Sequence, residues 1–438
     1  MSERSIKNNK NKNLSKTENI KFRPGNKCKK YNNKSTSFIC PICNKQFSLF
    51  KNLNRHKKEQ HEKRNFKHCP YCLKKVPRFK EHLQRCKKCV YDNIISLFQN
   101  SNTNLFELEN KNFFTQGFVL NHSKYKAFQV KIGEGTFGNV YYGINLENSN
   151  PFAIKEFKGT KKENYSSYEK ELNFIKEFKN EKFFTKFFYS EYSNNNKVII
   201  QSLHWPNLKK LVNLFGGKFP LYTILNIGIE VLKRIDIIHS HGILHCDIKP
   251  SNILYGNFTN DNILEKDSLY IVDYGLSKKF LNNNNKHSEY LENQKVGGTY
   301  EFLSKHGLKC ERLSRRDDIE SIFYTLIYLF KGELPWSKFT KQYSGKEEFI
   351  KIRDCNIKYN TKILIKGLPE VFEFIYRNIE ILNFDEKPPY EYFITLLEKE
   401  KIKILKKNNT NNKYKFIWVE LIKEVLDVKY KNNEALIN

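Results

Sequence analysis

The sequence predicts an α+β protein of two lobes, a small one rich in strands and then a large helical one, with compact Cys/His modules ahead of both. Three observations carry this. Apolar residues alternate at period two over 128–142 around a glycine-rich turn, and a second β-type run follows over 151–157. Apolar positions then recur at helical period over 221–238, 319–330, 371–381 and 390–397. Seven of the ten cysteines fall before position 90, a crowding that needs a local cause.

The chain of 438 residues is about three usual domain lengths, so two or three folded units are expected. Hydrophobic residues at 39% and aromatics at 14% suffice for a large core and exclude a wholly disordered chain. The best apolar run, 322–330, is interrupted by Thr325 and falls far short of the ~18 residues of a membrane span, so no transmembrane helix and no membrane partner are expected. The polar start lacks the apolar stretch of a secretory signal. An intracellular protein is expected, whose cysteines serve as metal ligands or buried thiols rather than disulfides.

Charge is concentrated in the same place. Residues 1–90 carry 26 Lys and Arg against 5 Asp and Glu, which is most of the net charge of +30. Such a field favours a polyanion, nucleic acid ahead of membrane; a solvated basic tail and an address for nuclear import are the alternatives. The nucleus is the expected location, replaced by a cytoplasmic replication site if the Lys- and Asn-rich chain comes from a large DNA virus.

In order along the chain, we expect a disordered basic arm over 1–36, a Cys/His module over 37–63, a second over 66–90, a connector over 91–115, the two-lobed region over 116–405 and a tail over 406–438. Runs of Asn at 194–196, 282–285 and 408–412 read as loops, because Asn favours turns. No repeat of fixed period is present in the sequence.

In the first module Cys40 and Cys43 stand two residues apart, twelve residues precede His56, and four more precede His61. Two cysteines on a tight turn and two histidines one turn apart on a helix close a tetrahedron around Zn²⁺, and Phe47 and Leu53 supply a small core. Docked in a major groove as such fingers dock, the helix would present Leu49, Lys51, Asn52 and Arg55, with Arg55 suited to guanine and Asn52 to adenine. Protein binding is the alternative. The second module offers Cys69, Cys72, His82 and Cys86 for another Zn²⁺, with Cys89 or His68 able to replace one of them. It resembles short two-Cys, His, Cys fingers of nucleic-acid-binding and ubiquitin-binding modules. Cys28 reads as a free thiol.

The two-lobed region opens with Gly133, Gly135, Gly138 and Val140. The same glycine string opens dinucleotide-binding folds, but those need a helix next, whereas a β-type run follows here. Lys155 lies 17 residues on, within Phe-Ala-Ile-Lys. Farther along come Asp247, Lys249 and Asn252 in LHCDIKPSNIL, then Asp273 and Gly275 in IVDYGLS. In order and spacing these resemble the eukaryotic protein kinases over about 118–405, which implies the bilobal protein kinase fold. Within that family, SRRDDIES at 314–321, GELPW at 332–336 and NFDEKPPYEY at 383–392 resemble the casein kinase 1 superfamily, and DYG at 273–275 with GTYEF at 298–302 resembles its vaccinia-related kinase branch.

The resemblance implies ATP and Mg²⁺ as cofactors and protein substrates. Asp247 would accept the substrate hydroxyl proton, Lys249 would steady the γ-phosphoryl group, and Asn252 and Asp273 would hold Mg²⁺. Lys155 would hold the α- and β-phosphates, fixed by Glu169 on alignment to the family, with Glu171 as runner-up. Ile132, Val140, Ala153 and Leu254 would sandwich adenine, with Leu203 in the hinge segment 202–204; core packing is an equally good reading of each. Asp318 reads as an anchor of the catalytic-loop backbone. Cys246 stands where most kinases carry Arg, so the usual basic pocket for a phosphorylated activation loop is expected to be missing. Glu301 stands where casein kinase 1 enzymes carry an Arg that reads acidic substrates, and a carboxylate there favours basic ones. The expected function is a serine/threonine protein kinase targeted by zinc modules to nucleic acid or chromatin. The alternatives are a kinase-fold scaffold without turnover, and an active kinase whose fingers bind ubiquitin or a substrate.

Overall fold

The computed structural model describes residues 124–135, 138–148, 150–157, 162–192, 197–256, 268–282, 284–295, 297–408 and 416–419, with the backbone at 38–39, 46–47, 52, 67–68 and 75–76. The chain divides into two units, Met1–Asn65 and Phe66–Asn438. The arm 1–36, the connector 91–115, Lys51, Arg55 and all eight expected zinc ligands (Cys40, Cys43, His56, His61, Cys69, Cys72, His82 and Cys86) lie outside the described residues.

In the first unit β1 (Phe38–Ile39) pairs antiparallel with β2 (Gln46–Phe47), and Asn52 is helical. The strands flank the segment that holds Cys40 and Cys43, as a zinc-binding turn requires. In the second unit, β3 (Lys67–His68) and β4 (Lys75–Val76) pair in the same way around the segment holding Cys69 and Cys72.

The strand-rich lobe is one antiparallel sheet of β5 (Tyr125–Gly135), β6 (Gly138–Asn145), β7 (Pro151–Phe157), β8 (Phe187–Tyr192) and β9 (Lys197–Ser202), in the order β5-β6-β7-β9-β8. Period-two alternation sorts its side chains onto two faces. Phe152, Ile154, Val198 and Ile200 pack together on one face, while Ala153 joins Ile132, Tyr142 and Leu203 on the other. Lys155, two residues from Ala153, belongs to that second face. Gly135 and Gly138 pair at the β5–β6 turn, and a Cβ on Gly138 would lie 1.7 Å from the Glu156 carbonyl oxygen, so no larger residue fits there.

One helix, α1 (Lys162–Glu177), accompanies this sheet. Tyr168, Glu171, Leu172, Ile175 and Phe178 are buried at spacings of three and four, so they form its inward stripe.

The helical lobe contains α2 (Leu208–Leu214), α3 (Leu221–Ser240), α4 (Lys305–Leu308), α5 (Arg315–Lys331), α6 (Ser337–Gln342), α7 (Gly345–Lys358), α8 (Thr361–Leu364), α9 (Glu370–Glu380) and α10 (Tyr390–Asn408). The helical periods in the sequence thus correspond to α3, α5, α9 and α10. Asp317 Oδ2 accepts the Ser314 N–H at 2.7 Å and so caps the start of α5, and Gly332 at φ +91° ends it. Two short antiparallel ribbons run through the lobe: β10 (Ile243–Leu244) with β13 (Lys278–Lys279), and β11 (Ile253–Tyr255) with β12 (Leu269–Ile271). Asp247, Lys249 and Asn252 lie between β10 and β11, and Asp273 lies between β12 and β13. The two acid-bearing loops therefore leave the same pair of ribbons.

The two-lobed α+β architecture agrees with the sequence expectation, and its end lies farther along than the expected boundary at 405. Helix α10 runs to Asn408, and Phe416, Trp418 and Val419 are fully buried in the main core. Phe416 and Trp418 stack at 4.8 Å, and Trp418 meets Phe219 at 5.0 Å and Tyr255 at 5.7 Å.

Candidate active site

A cavity of about 550 Å³ separates the sheet from the helical lobe. Its roof is Ile132, Gly133, Gly135, Val140 and Ala153; its floor includes Leu254, Val272, Asn252 and Asp273. Gly138 shapes the roof by its tight pairing, and Leu203 packs into the apolar cluster behind Ala153.

At the inner end the Lys155 ammonium donates to Asp273 Oδ1 at 2.7 Å and to Glu171 Oε2. Burial works to lower the lysine, but the two carboxylates outweigh it and hold the amine above its ordinary value. Burial likewise works to raise Asp273, and Lys155 overrides it, so this carboxyl stays below the usual range. For Glu171 burial wins, pushing its carboxyl up to about 7 despite the lysine beside it.

Glu171, and not the expected Glu169, is the partner of Lys155. Two residues on a helix are about 200° apart, so Glu169 projects away from the stripe of Tyr168, Glu171 and Leu172 that faces the sheet. Helical face decides between the two glutamates, and alignment to the family points to the wrong one.

The catalytic loop is held from several sides. Asp318 accepts the backbone N–H groups of His245 at 2.7 Å and Cys246 at 2.8 Å, together with His239 Nε2 at 3.0 Å. Burial works to raise Asp318, and these donors keep its carboxyl below the usual range. His245 Nε2 donates to the Val272 carbonyl at 3.1 Å, and its Nδ1 accepts the Asp247 N–H at 3.3 Å. Burial lowers this imidazole's affinity for protons, in keeping with one donor and one acceptor nitrogen.

Asp247 is buried between three partners, two of which, Lys249 and Asn252, line the cavity. Lys249 Nζ donates to its Oδ2 at 2.7 Å and to Thr299 Oγ1 at 2.7 Å. Asn252 Nδ2 donates to the same Oδ2 at 3.1 Å and to the Asp247 carbonyl at 2.9 Å, and the Thr299 N–H donates to Oδ1 at 3.1 Å. Asn252 thereby keeps its own side-chain oxygen for a cation, and Asp273 keeps Oδ2, which faces the glycine turn: a Cβ on Gly135 would come within 3.7 Å of it. Two hard oxygens beside a buried lysine fit Mg²⁺ with phosphate groups. The apolar slot between Val140, Ala153 and Leu254 fits a flat base.

Other lining residues carry no motif. Gln201, His204, Trp205, Asn207, Lys210 and Ser251 border the cavity, and of these only His204, within the hinge segment 202–204, had a place in the sequence reading. His204 Nδ1 donates to the Gly256 carbonyl at 2.8 Å, and Nε2 accepts from Ser202 Oγ at 2.8 Å. Its ring stacks on Tyr270 at 3.8 Å, and burial pushes the imidazole down to about 4. A histidine two residues from a serine in the hinge was the available signal.

Cys246 is buried beside Leu244 and Phe280 at φ +66°, and burial raises its thiol well above the ordinary value. A cavity of about 380 Å³ next to it is nonetheless lined by Lys278, Lys279, Lys295 and Arg312, so basic groups do gather where the sequence led us to expect none. The Glu301 carboxylate accepts from Ser337 Oγ, and Trp336 Nε1 donates to the Glu301 carbonyl at 2.7 Å.

No described helix is long and apolar enough to cross a membrane. The model of the protein kinase domain matches residues 127–413, and that of a C2H2-type zinc finger matches residues 37–64. The first match spans more than half of the chain and coincides with the lobes, the cavity and the Lys155, Asp247 and Asp273 cluster, so the chain belongs to the protein kinase domain family, with a C2H2-type zinc finger N-terminal to the kinase domain.

Proposed function

We propose that this chain is a serine/threonine kinase of the casein kinase 1 superfamily, nearest its vaccinia-related branch, that phosphorylates basic proteins and is brought to nucleic acid by its N-terminal zinc modules. The observation that carries the catalytic part is the convergence of Asp247, Lys249 and Asn252 on one end of a cavity whose inner wall is Lys155, Glu171 and Asp273.

When bound, ATP supplies the γ-phosphoryl group and Mg²⁺ neutralises the charge that develops on it. Asn252 and Asp273 would hold the cation, and Lys155 would hold the inner phosphates. Asp247 orients the acceptor hydroxyl and takes its proton through the carboxylate. Lys249, already shared between Asp247 and Thr299, steadies the transferring group. His204 fixes the hinge backbone along which adenine would lie.

The subfamily reading rests on SRRDDIES, GELPW and NFDEKPPYEY, with DYG and GTYEF for the branch, and it is supported by the way the first and third of these lie against one another. Arg316 Nη1 donates to the Leu382 carbonyl at 3.0 Å, Arg315 donates to the Asp385 carbonyl, and the Tyr390 hydroxyl bonds His239 Nδ1 at 2.6 Å. The preference for basic substrates rests on Glu301 and its neighbour Glu348, whose carboxyl is raised by burial and by Glu301. Nucleic-acid targeting rests on the charge of residues 1–90, with Asn52 on a helix as the finger reading requires. A nuclear location, or a cytoplasmic replication site for a viral source, belongs to the same proposal.

The deciding experiment is transfer from labelled Mg-ATP by the full chain, with Asp247→Asn as control and histones or casein as acceptor. Histone labelling that vanishes in the control supports the reading. Casein labelling alone removes the role given to Glu301, and no transfer to either removes the activity.

A further inference from the structure

Among the described residues, two side-chain bonds around the cavity cross from one lobe to the other. At the buried end Lys155 of β7 reaches Asp273 of the helical lobe. At the half-exposed end Lys210 of α2 donates from Nζ to the Ile132 carbonyl of β5 at 3.2 Å. The first belongs to the catalytic cluster; the second has no role in it.

The position of Lys210 is set before it makes that bond. Asn207 caps α2, its Oδ1 accepting the Lys210 N–H at 2.8 Å, and so fixes the first turn against the end of the hinge. The lysine stem then rises beside Trp205, with Nζ 5.9 Å from the ring centroid. Among the described residues no carboxylate pairs with this ammonium, and burial lowers its affinity for the proton. Its one fixed polar partner is therefore a backbone carbonyl of the roof, and the roof cannot lift without breaking that bond.

We propose that Lys210 is the latch of the nucleotide cleft, a positioning residue that holds the roof strand down over bound nucleotide and so sets its affinity and residence time. The inference rests on the reading of this cavity as the ATP site. A lysine suits this role because opening returns the ammonium to water, which replaces the lost carbonyl, so the latch is reversible at modest cost. A carboxylate-paired lysine would be held in both states.

The test uses the full-length protein as wild type, Lys210→Met, which keeps the stem against Trp205 but removes the donor, and Lys210→Arg, which keeps a donor. Mg-ADP affinity is measured by calorimetry, and KM for ATP and kcat by histone labelling. We expect Lys210→Met to weaken Mg-ADP and raise KM by about threefold to tenfold, the loss of one hydrogen bond from a charged donor, with kcat held or raised because product leaves faster. Lys210→Arg should stay within about threefold of wild type on the same scale. Equal affinities for Lys210→Met and wild type overturn the latch, as does a fall in kcat at constant KM or an arginine variant as weak as the methionine one. If Lys210→Met does not fold, Lys210→Leu, which also lacks a donor, carries the same comparison. A wild type that binds no Mg-ADP overturns the reading of the cavity itself, which separates the two failures.

Discussion

Lys155 and Glu171 meet at the buried junction of β7 and α1, each less than a tenth exposed, and the pair ties the helix to the strand that roofs the cavity. The contact depends on α1 docking with the Tyr168 stripe inward. Removing the Glu171 charge leaves Asp273 as the charged partner of Lys155 and weakens the tie between helix and strand. Glu171→Gln should lower kcat/KM by roughly 30-fold to 100-fold, about 2–3 kcal/mol of transition-state stabilisation. Glu169→Gln should change it by less than about twofold, as expected of a solvent-side residue. Steady-state rates of the two variants check this, and equal losses would contradict the assignment.

Gly298 stands at φ +98°, and a Cβ there would lie 3.1 Å from the Cys246 carbonyl oxygen and 3.4 Å from Asp247 Oδ1. Thr299, the next residue, donates its N–H to that same carboxylate oxygen. Gly298→Ala should therefore shift Asp247 rather than the nucleotide site. A displacement near 1 Å costs about 100-fold in rate, so kcat should fall on that order while Mg-ADP affinity stays within about twofold. Calorimetry and initial rates measured on one preparation separate the two effects.

His204 gives the stability a predictable slope with pH. Its folded value is about 4, against about 6.5 in the unfolded chain, so between these values the unfolded chain binds the extra proton. Stability from this group is complete above pH 6.5 and declines as pH falls toward 4. From pH 7 to pH 5 wild type should lose about 2 kcal/mol relative to His204→Gln. Urea unfolding of both proteins at the two pH values measures the difference, which cancels the titration of every other group. A constant difference would mean that the His204 ring is protonated or exposed.

Zinc supplies a separate test of the N-terminal modules. The purified chain should carry two Zn²⁺, and Cys40→Ser and Cys72→Ser should each remove one, as read by metal analysis. Loss of the first site should weaken duplex binding, whose affinity should fall steeply with added salt, while histone labelling persists. Retained affinity in Cys40→Ser would assign duplex binding to the basic arm alone.

The cluster around Asp247 was legible because phosphoryl transfer needs several residue types at close spacing: Asp247, Lys249 and Asn252 within six residues, and Asp273 beside Gly275. The strand alternation that orients Ala153 and Lys155 was legible for the same reason, since it is local. Glu171 was not, because which of two nearby glutamates turns inward depends on how α1 packs. Lys210 carries no sequence signal, and Gly298 was read only as the start of GTYEF: each matters through an atom distant in the chain, the Ile132 carbonyl for one and the Cys246 carbonyl for the other. Helix α7 escaped the periodicity reading because it buries little beyond Ile352 and Asn356. The expected zinc ligands of the first module rest on spacing and on the C2H2-type match over 37–64, and those of the second on spacing alone.

The segment 416–419 was hidden for a different reason. It is a short aromatic run within an Asn-rich stretch, which by composition reads as a loop, yet Phe416, Trp418 and Val419 are buried against Phe219 and Tyr255. Tyr255 in turn exchanges backbone hydrogen bonds with the hinge, accepting the Trp205 N–H and donating to the Pro206 carbonyl, each at 3.0 Å. The aromatic segment therefore supports the hinge from behind. Trp418→Ala should cost about 3–5 kcal/mol, the range for removing a large buried aromatic, and should raise KM for ATP more than it lowers kcat. A chain ended after residue 413, where the kinase-domain match stops, should lose at least as much. Urea unfolding and ATP titration of both variants check this. A truncated chain as stable as the full one would show that 416–419 adds nothing to the kinase core.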